Sequence, residues 1–482
     1  MNDSRRFLHS TIRSLIACGC LAWSTGQAAA SQVKLSVQLA KPLLVANKKQ
    51  TTFLKAGLTG FELKKETDRA PVNVSIVLDK SGSMRGNKIR HAREAAKMAI
   101  GRLNNDDIVS VVTYDSVVRV LVPATKVSDK DTIFAQIDRI PANGSTALFA
   151  GVSKGAKELR KFMTKDRVNR IFLLSDGQAN VGPKTPGELG ELGASLAKEG
   201  ISVTTLGLGL GYNEDLMSQL ALKSDGRHSF IEDATQLAQI FNEDFGEMLT
   251  VVAQEVEVKI SCEPGVRPVR LLGREGDISG QTVVTDLNQI YSKQEQYILL
   301  EVEIPATSAD QQRSIAKVDL KYSNLETKTT DRLSSSVEAR FTQSEKLVAQ
   351  SESKEVMITC ISQIALENNE KATALRDLGR ISEARRLLIS NGAFLDLNAD
   401  KYDSSFLRNY GLLNSFSAQN LDAENWGAQR KQMRYEQSRL SQGAQSFRNR
   451  AGVKSQEQLN RIVQKQQQQP LLQKTVPPKQ KK

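Results

Sequence analysis

Apolar and polar residues alternate with period two at the start of the chain. Val33, Leu35, Val37 and Leu39 are separated by polar side chains, and short strands are predicted at residues 51–53 and 59–63. From residue 71 the pattern changes. Residues 74–78 form a nearly continuous apolar run, as a parallel strand covered on both faces requires, and Ile89, Ala92, Ala96, Ile100 and Leu103 recur at helical spacing. Strands at 108–113, 117–122, 171–174, 201–206 and 228–231 then interleave with helices at 132–140, 148–162, 187–198, 215–222 and 234–249. This order predicts an α/β unit over residues 71–252: an open, mostly parallel, doubly wound sheet with helices on both faces.

Period two returns after residue 253, at Val256, Val258 and Ile260 and again over 269–272, 283–284, 297–304 and 315–322, which predicts an antiparallel sandwich segment over residues 253–343. Residues 31–70 hold too few strands to bury a core alone. Both flanks are therefore expected to build one β-sandwich into which the α/β unit is inserted. Helices dominate residues 344–443. Met357, Cys360 or Ile361, and Ile364 share one face, while Leu375, Leu378, Ile381, Ala384 and Leu388 share another. Residues 372–388 resemble half of a tetratricopeptide unit, but no repeat of fixed period follows, so a solenoid is not expected.

The two ends read differently from the middle. Arg5, Arg6 and Arg13 precede a short apolar run at residues 14–23, and Ala28, Ala29 and Ala30 offer a cleavage site, so residues 1–30 read as a signal peptide for export to the periplasm or the cell exterior. That run is half the roughly 20 residues needed to cross a bilayer. Residues 444–482 carry nine basic residues and one acidic one, with a Gln-rich stretch at 466–469. This basic segment reads first as a solvated, disordered tail, and alternatively as an electrostatic attachment to an anionic envelope polymer or lipid headgroup. Nucleic acid is a poor match for an exported chain. The whole chain has 482 residues and a net charge of +12, of which the tail supplies most.

Chemistry concentrates in three segments that follow strands or open helices: Asp79, Ser81 and Ser83 after the run at 74–78, Thr146 at the start of a helix, and Asp176 after the run at 171–174. In an open α/β sheet the loops at the carboxyl ends of strands converge at one edge, so these side chains can meet. They would offer only hydroxyl and carboxylate oxygens. Such a set suits a hard cation, and few carboxylates with small neutral donors suit Mg²⁺, with Mn²⁺ second and Ca²⁺ admissible. An ion so poorly neutralised would attract an acidic group from outside.

The same residues resemble, position by position, the metal-ion-dependent adhesion site of the von Willebrand factor type A domain. The wording around Asp79 and around residues 173–182 is similar to secreted bacterial members and to inter-alpha-trypsin inhibitor heavy chains. The resemblance implies that Ser81 and Ser83 bind the metal directly, that Thr146 and Asp176 bind directly or through water, and that Asp79 mainly orients waters and hydroxyls. It also implies a binding module, not an enzyme, that captures an acidic residue of a protein partner.

Other chemistry fits less well. Glycines 207, 209 and 211 lack the Gly-Lys-Ser/Thr ending of a phosphate loop and read as a strand-to-helix turn. His91 and His228 both read as surface or edge residues, which leaves no serine triad. Cys262 and Cys360 could form a disulfide, but read first as two buried thiols. Two alternatives to the leading function stand beside it: an envelope assembly scaffold that binds through its sandwich and helices, and a metal-assisted phosphoesterase, for which no general base is evident.

Overall fold

The computed structural model describes residues 32–65 and 68–441; the expected signal peptide and basic tail lie outside these residues. Strands β1 (Lys34–Leu39), β2 (Leu43–Val45) and β3 (Gln50–Thr59) lead into β4 (Val72–Asp79), whose eight residues are all buried. The α/β unit continues through α1 (Asn87–Gly101), β5 (Ile108–Tyr114), β6 (Val118–Lys126), α2 (Lys130–Ile137), α3 (Leu148–Leu159), β7 (Val168–Ser175), α4 (Pro186–Lys198), β8 (Ile201–Leu208), α5 (Glu214–Lys223), β9 (His228–Ile231) and α6 (Leu237–Met248). Its sheet has the order β6-β5-β4-β7-β8-β9, parallel except where β6 runs antiparallel to β5. The apolar faces of β4, β5 and β7 bury against α1 and α6 on one side and against α3, α4 and α5 on the other. The strand order reverses beside β4. Asp79 and Ser175 therefore end adjacent parallel strands at the switch point, where an α/β sheet opens a crevice.

Beyond α6 come β10 (Val251–Cys262), β11 (Arg267–Leu272), β12 (Asp277–Ser279), β13 (Thr282–Tyr291), β14 (Glu295–Ile304), β15 (Gln312–Asn324) and β16 (Thr329–Thr342). They form two sheets together with the N-terminal strands, in the orders β1-β3-β14-β11 and β12-β13-β10-β15-β16-β2. A shared apolar core joins the sheets, with Leu54, Leu58, Val258, Ile260, Leu300 and Val318 all buried in it. The pairing is antiparallel except at β2, which lies parallel to β16. The α/β unit leaves from β3 and returns at β10, and both connections are tied to the β13–β14 turn: Gly60 exchanges hydrogen bonds with Lys293 and Gln294, and the Ser292 N–H donates to the Thr250 carbonyl at 2.7 Å. Arg170 of β7, 1% exposed, donates to the Tyr291 hydroxyl at 2.7 Å and also to Gln289 on the same strand.

Several expectations need correction. The strands predicted at 51–53 and 59–63 are one strand, β3, and residues 61–63 lie outside it and belong to no strand. It is continuous because Lys55, in its centre, is buried by ion pairs to Glu295 and Glu355 and lies over the Tyr297 ring. Leu378 does not share a face with Leu375 and Ile381. The chain turns at Gly379 (φ +77°) between α8 (Lys354–Asp377) and α9 (Ile381–Lys401), which leaves Leu378 exposed. His228 is no surface residue: although β9 is the sheet edge, its ring is fully buried.

What covers that edge is the helical region. After the short α7 (Glu345–Gln350) it comprises α8, α9, α10 (Ser405–Gln419) and α11 (Ala423–Ser441). Helix α11 returns to the α/β unit and packs on α5 and β9. Arg430 donates to Glu214 and Asp215 at 2.5 Å each and to Asp377 of α8 at 2.8 Å. Lys431 pairs with Glu214, donates to the Tyr212 carbonyl at 2.8 Å and stands over the Tyr212 ring. Cys262 and Cys360 are buried in different clusters, one inside the sandwich and one where α8 packs against Leu272 and Leu299, and no disulfide joins them. No helix among the described residues is long and apolar enough to cross a membrane.

Candidate metal centre

Asp79 closes β4, and the turn after it is held by its own side chain. Oδ1 accepts from the Ser81 N–H at 2.8 Å, and Oδ2 accepts from Ser175 Oγ at 2.7 Å. Ser81 Oγ lies 3.0 Å from Ser83 Oγ, and Ser83 Oγ donates to Asp176 Oδ1 at 2.6 Å. The segment from Pro141 to Ala147 is laced to this turn by backbone bonds, from the Asn143 N–H to the Lys80 carbonyl at 2.7 Å and from the Gly82 N–H to the Gly144 carbonyl at 3.0 Å. Gly144 has φ +84°, and a Cβ there would press on Asp115 at 3.0 Å, so only glycine lets this loop close. Thr146 is fixed from the other side, where its N–H donates to Asn180 Oδ1 at 2.8 Å.

The five predicted side chains are thus brought to one place. The position of a Cβ on Gly177 measures the convergence: it would lie 3.0 Å from Thr146 Oγ1, 3.5 Å from Ser83 Oγ and 3.7 Å from Asp79 Oδ2. Oxygens of the first two segments therefore lie close to the point that the missing side chain leaves open, and Asp176 joins them through its bond from Ser83. Among the described residues no group of three or more His, Cys, Asp or Glu is placed to hold a metal ion. Any metal here would rest on hydroxyls with two carboxylates, a donor set of hard neutral and anionic oxygens that fits Mg²⁺ and gives a soft metal nothing to bind.

Electrostatics sharpen the picture. Burial pushes the Asp79 carboxyl up to about 6; bonds from Ser175 and Ser81 oppose the rise, and Asp176 adds to it. Beneath it Tyr114 is buried, its pKa held well above the ordinary value by burial and by Asp79. Asp115 is pulled the other way. Burial acts against its ionisation, but the bond from Lys80 and the Val117 N–H hold its pKa below the ordinary value.

The pattern reading passed over four contributors. Ser175 bonds Asp79, Gly177 opens the cradle and Asn180 anchors Thr146. Lys88 pairs its ammonium with Asp176 Oδ2. Lys88 did leave a trace: a lysine in the first turn of α1 opposes the helix dipole, which asks for a nearby anion to explain it. Gly177 and Asn180 lie in the stretch at 173–182 whose wording resembles the family, which marks the segment without giving either residue a role.

Residues 73–243 match the model of the von Willebrand factor type A domain. Among curated proteins the chain is 29% identical over 254 residues to the uncharacterized protein YfbK of Escherichia coli, covering 50% of this chain and 44% of that one. It is 29% identical over 276 residues to the uncharacterized protein sll0103 of Synechocystis, covering 55% and 65%. It is also 29% identical over 189 residues to inter-alpha-trypsin inhibitor heavy chain H2 of Mus musculus, covering 36% and 20%. The chain thus spans less than two thirds of the length of these relatives. In fold it resembles a von Willebrand factor type A structure from Catenulispora acidiphila, with TM-score 0.64 and 17% identity over 80% of this chain and 91% of that one. The ArnB paralog VWA2 from Sulfolobus acidocaldarius gives 0.56 and 16% over 85% and 99%.

Proposed function

We propose, on the premise that this chain carries a von Willebrand factor type A domain, that it is an exported, metal-dependent protein-binding protein and not an enzyme. The observation that carries the reading is the convergence of Asp79, Ser81, Ser83, Thr146 and Asp176 around the open position at Gly177. Ser81 and Ser83 would hold Mg²⁺ directly, Thr146 and Asp176 directly or through water, and Asp79 would orient waters and hydroxyls. A bound Mg²⁺ would supply an electrophilic point to which a carboxylate of a partner could bind. The serines and Thr146 add no charge, and the two carboxylates at most balance the ion, less effectively where they act through water or, as Asp176 does with Lys88, share their charge with a cation.

The histidines of the described residues support binding over hydrolysis. His228 is buried, bonded to Thr205 at 2.9 Å and Tyr212 at 3.2 Å, and burial pushes its pKa down to about 3; His91 faces Glu94 on α1. Neither stands beside the oxygens as a base.

The test is capture of partners from a native cell-envelope extract with Mg²⁺, with EDTA, and with Asp79→Ala. Proteins lost in both EDTA and the variant support the reading. Capture indifferent to both overturns it.

One observation favours the scaffold alternative: Ile389 and Leu397 on α9 are 54% and 71% exposed, eight residues apart on one helix face. Capture that survives Asp79→Ala but fails in Ile389→Ser/Leu397→Ser would select that reading instead.

A further inference from the structure

Five loops surround the candidate metal centre, at residues 80–87, 115–117, 141–147, 176–185 and 209–213, and among their exposed neutral polar side chains stand three large aliphatic ones. Val117 is 56% exposed, Val181 39% and Leu210 57%. Each is tied to the centre by its neighbours: the Val181 N–H donates to the Thr146 carbonyl at 3.3 Å, the Val117 N–H donates to Asp115 Oδ1 at 2.8 Å, and Ala147 N–H donates to the Asp115 carbonyl at 2.8 Å. A Cβ on Gly211, next to Leu210, would lie 3.0 Å from the Asp176 carbonyl. Three aliphatic side chains therefore stand in water in three of the loops around one polar point. Aliphatic carbon left in water beside a polar site is area that a partner with apolar neighbours can cover.

The charges in the same loops are sorted by sign. All the carboxylates are buried, namely Asp79, Asp115 and Asp176. Arg85 and Lys184 are exposed and Lys88 is half-buried. The rim thus offers cations and aliphatic carbon, with no exposed acid to repel an anion.

We infer that Val117, Val181 and Leu210 form an apolar rim that selects, among acidic partners, a segment whose Asp or Glu is flanked within a few residues by aliphatic or aromatic side chains. This rests on the proposed carboxylate capture and adds to it the chemistry of the partner on either side of the carboxylate. A carboxylate alone makes a point contact and gives little discrimination. Aliphatic neighbours seated on the rim would lose water-exposed area on both surfaces and supply the remainder of the affinity.

The experiment is selection of a phage-displayed random peptide library on the full chain in Mg²⁺ with elution by EDTA, run in parallel on Val117→Ser/Val181→Ser/Leu210→Ser. The three sites are exposed, so the fold is expected to persist; circular dichroism and the metal titration check this. The expected result is that EDTA-eluted clones carry Asp or Glu with apolar neighbours, and that a peptide made from them binds the triple variant about tenfold more weakly at unchanged Mg²⁺ affinity. Acidic clones without apolar neighbours, or equal binding to the triple variant, would overturn the rim while leaving carboxylate capture standing. An absence of acidic EDTA-eluted clones would overturn both.

Discussion

Lys88 sets its ammonium against Oδ2 of Asp176 while Ser83 holds Oδ1 of the same carboxylate at 2.6 Å. One of the two acids at the centre is thus already shared with a fixed cation of the protein. Lys88→Met removes a charge that competes with a divalent ion for Asp176 and also lowers the positive potential offered to a partner. The two effects have opposite signs. Mg²⁺ affinity should rise and affinity for an acidic peptide should fall, each by about two- to fivefold for a partly exposed pair. Calorimetric titration of Mg²⁺ and then of peptide separates them; changes of the same sign would contradict the assignment.

Gly177→Ala retains all five oxygen donors and places a methyl 3.0 Å from Thr146 Oγ1. The backbone at Gly177 is not left-handed, so the chain itself tolerates alanine. The metal-free protein should melt within a few degrees of wild type. Millimolar Mg²⁺ should raise the melting temperature of wild type and not of the variant. Saturation at about 100 times Kd corresponds to about 2.7 kcal/mol of stabilisation, which scanning calorimetry resolves.

Arg430 joins α11 to Glu214 and Asp215 of the α/β unit and to Asp377 of α8, with its side chain 15% exposed. Arg430→Leu takes one partner from each of three carboxylates, of which Glu214 keeps Lys431 and Asp215 keeps Arg434, at a cost of about 2 kcal/mol. The expected signature is faster hydrogen exchange in α11, α5 and β9, with the sandwich strands unaffected. Uniform exchange across the molecule would mean that the contact does not act locally.

Glu436 on α11 is 9% exposed, and burial pushes its pKa from 4.5 up to about 7, against a bond from Gln432. The folded value lies above the unfolded one, so its contribution to stability is complete below about 4.5 and is lost as pH rises through about 7. The total is about 3 kcal/mol on that shift. Glu436→Gln should remove this loss. The difference between variant and wild-type unfolding free energies from urea titration should grow from pH 4.5 to pH 8; a flat difference would show that Glu436 is solvated.

The α/β unit was legible because β4 and β7 end in short apolar runs, at residues 76–78 and 171–174, and Asp79 and Asp176 stand just past where those runs stop. Local chemistry and global topology agree there. Legibility failed where tertiary contact overrides pattern. Lys55 interrupts an apolar run and is buried only because Glu295 and Glu355 arrive from distant segments. Strand β16 turns Leu333, Val337, Ala339 and Phe341 inward at period two, but Asp331 and Ser335 stand in the same register, so the hydrophobic trace is broken. His228 sits at a sheet edge that nothing nearby in sequence covers; α11, some 200 residues on, does so.

The way the α/β unit is spliced into the sandwich has a mechanical consequence. Its entry at Gly60 and its exit at Thr250 are both hydrogen-bonded to the β13–β14 turn, and Leu249 and Thr250 alone separate α6 from β10. A pull on a ligand gripped at the loops beyond β4 and β7 divides between two covalent tethers, β3 and β10. These strands lie in opposite sheets of the sandwich. The load therefore meets two ladders of backbone bonds at once and finds no single swivel to turn on, so tension reaches the rest of the molecule as a stretch rather than as a rotation.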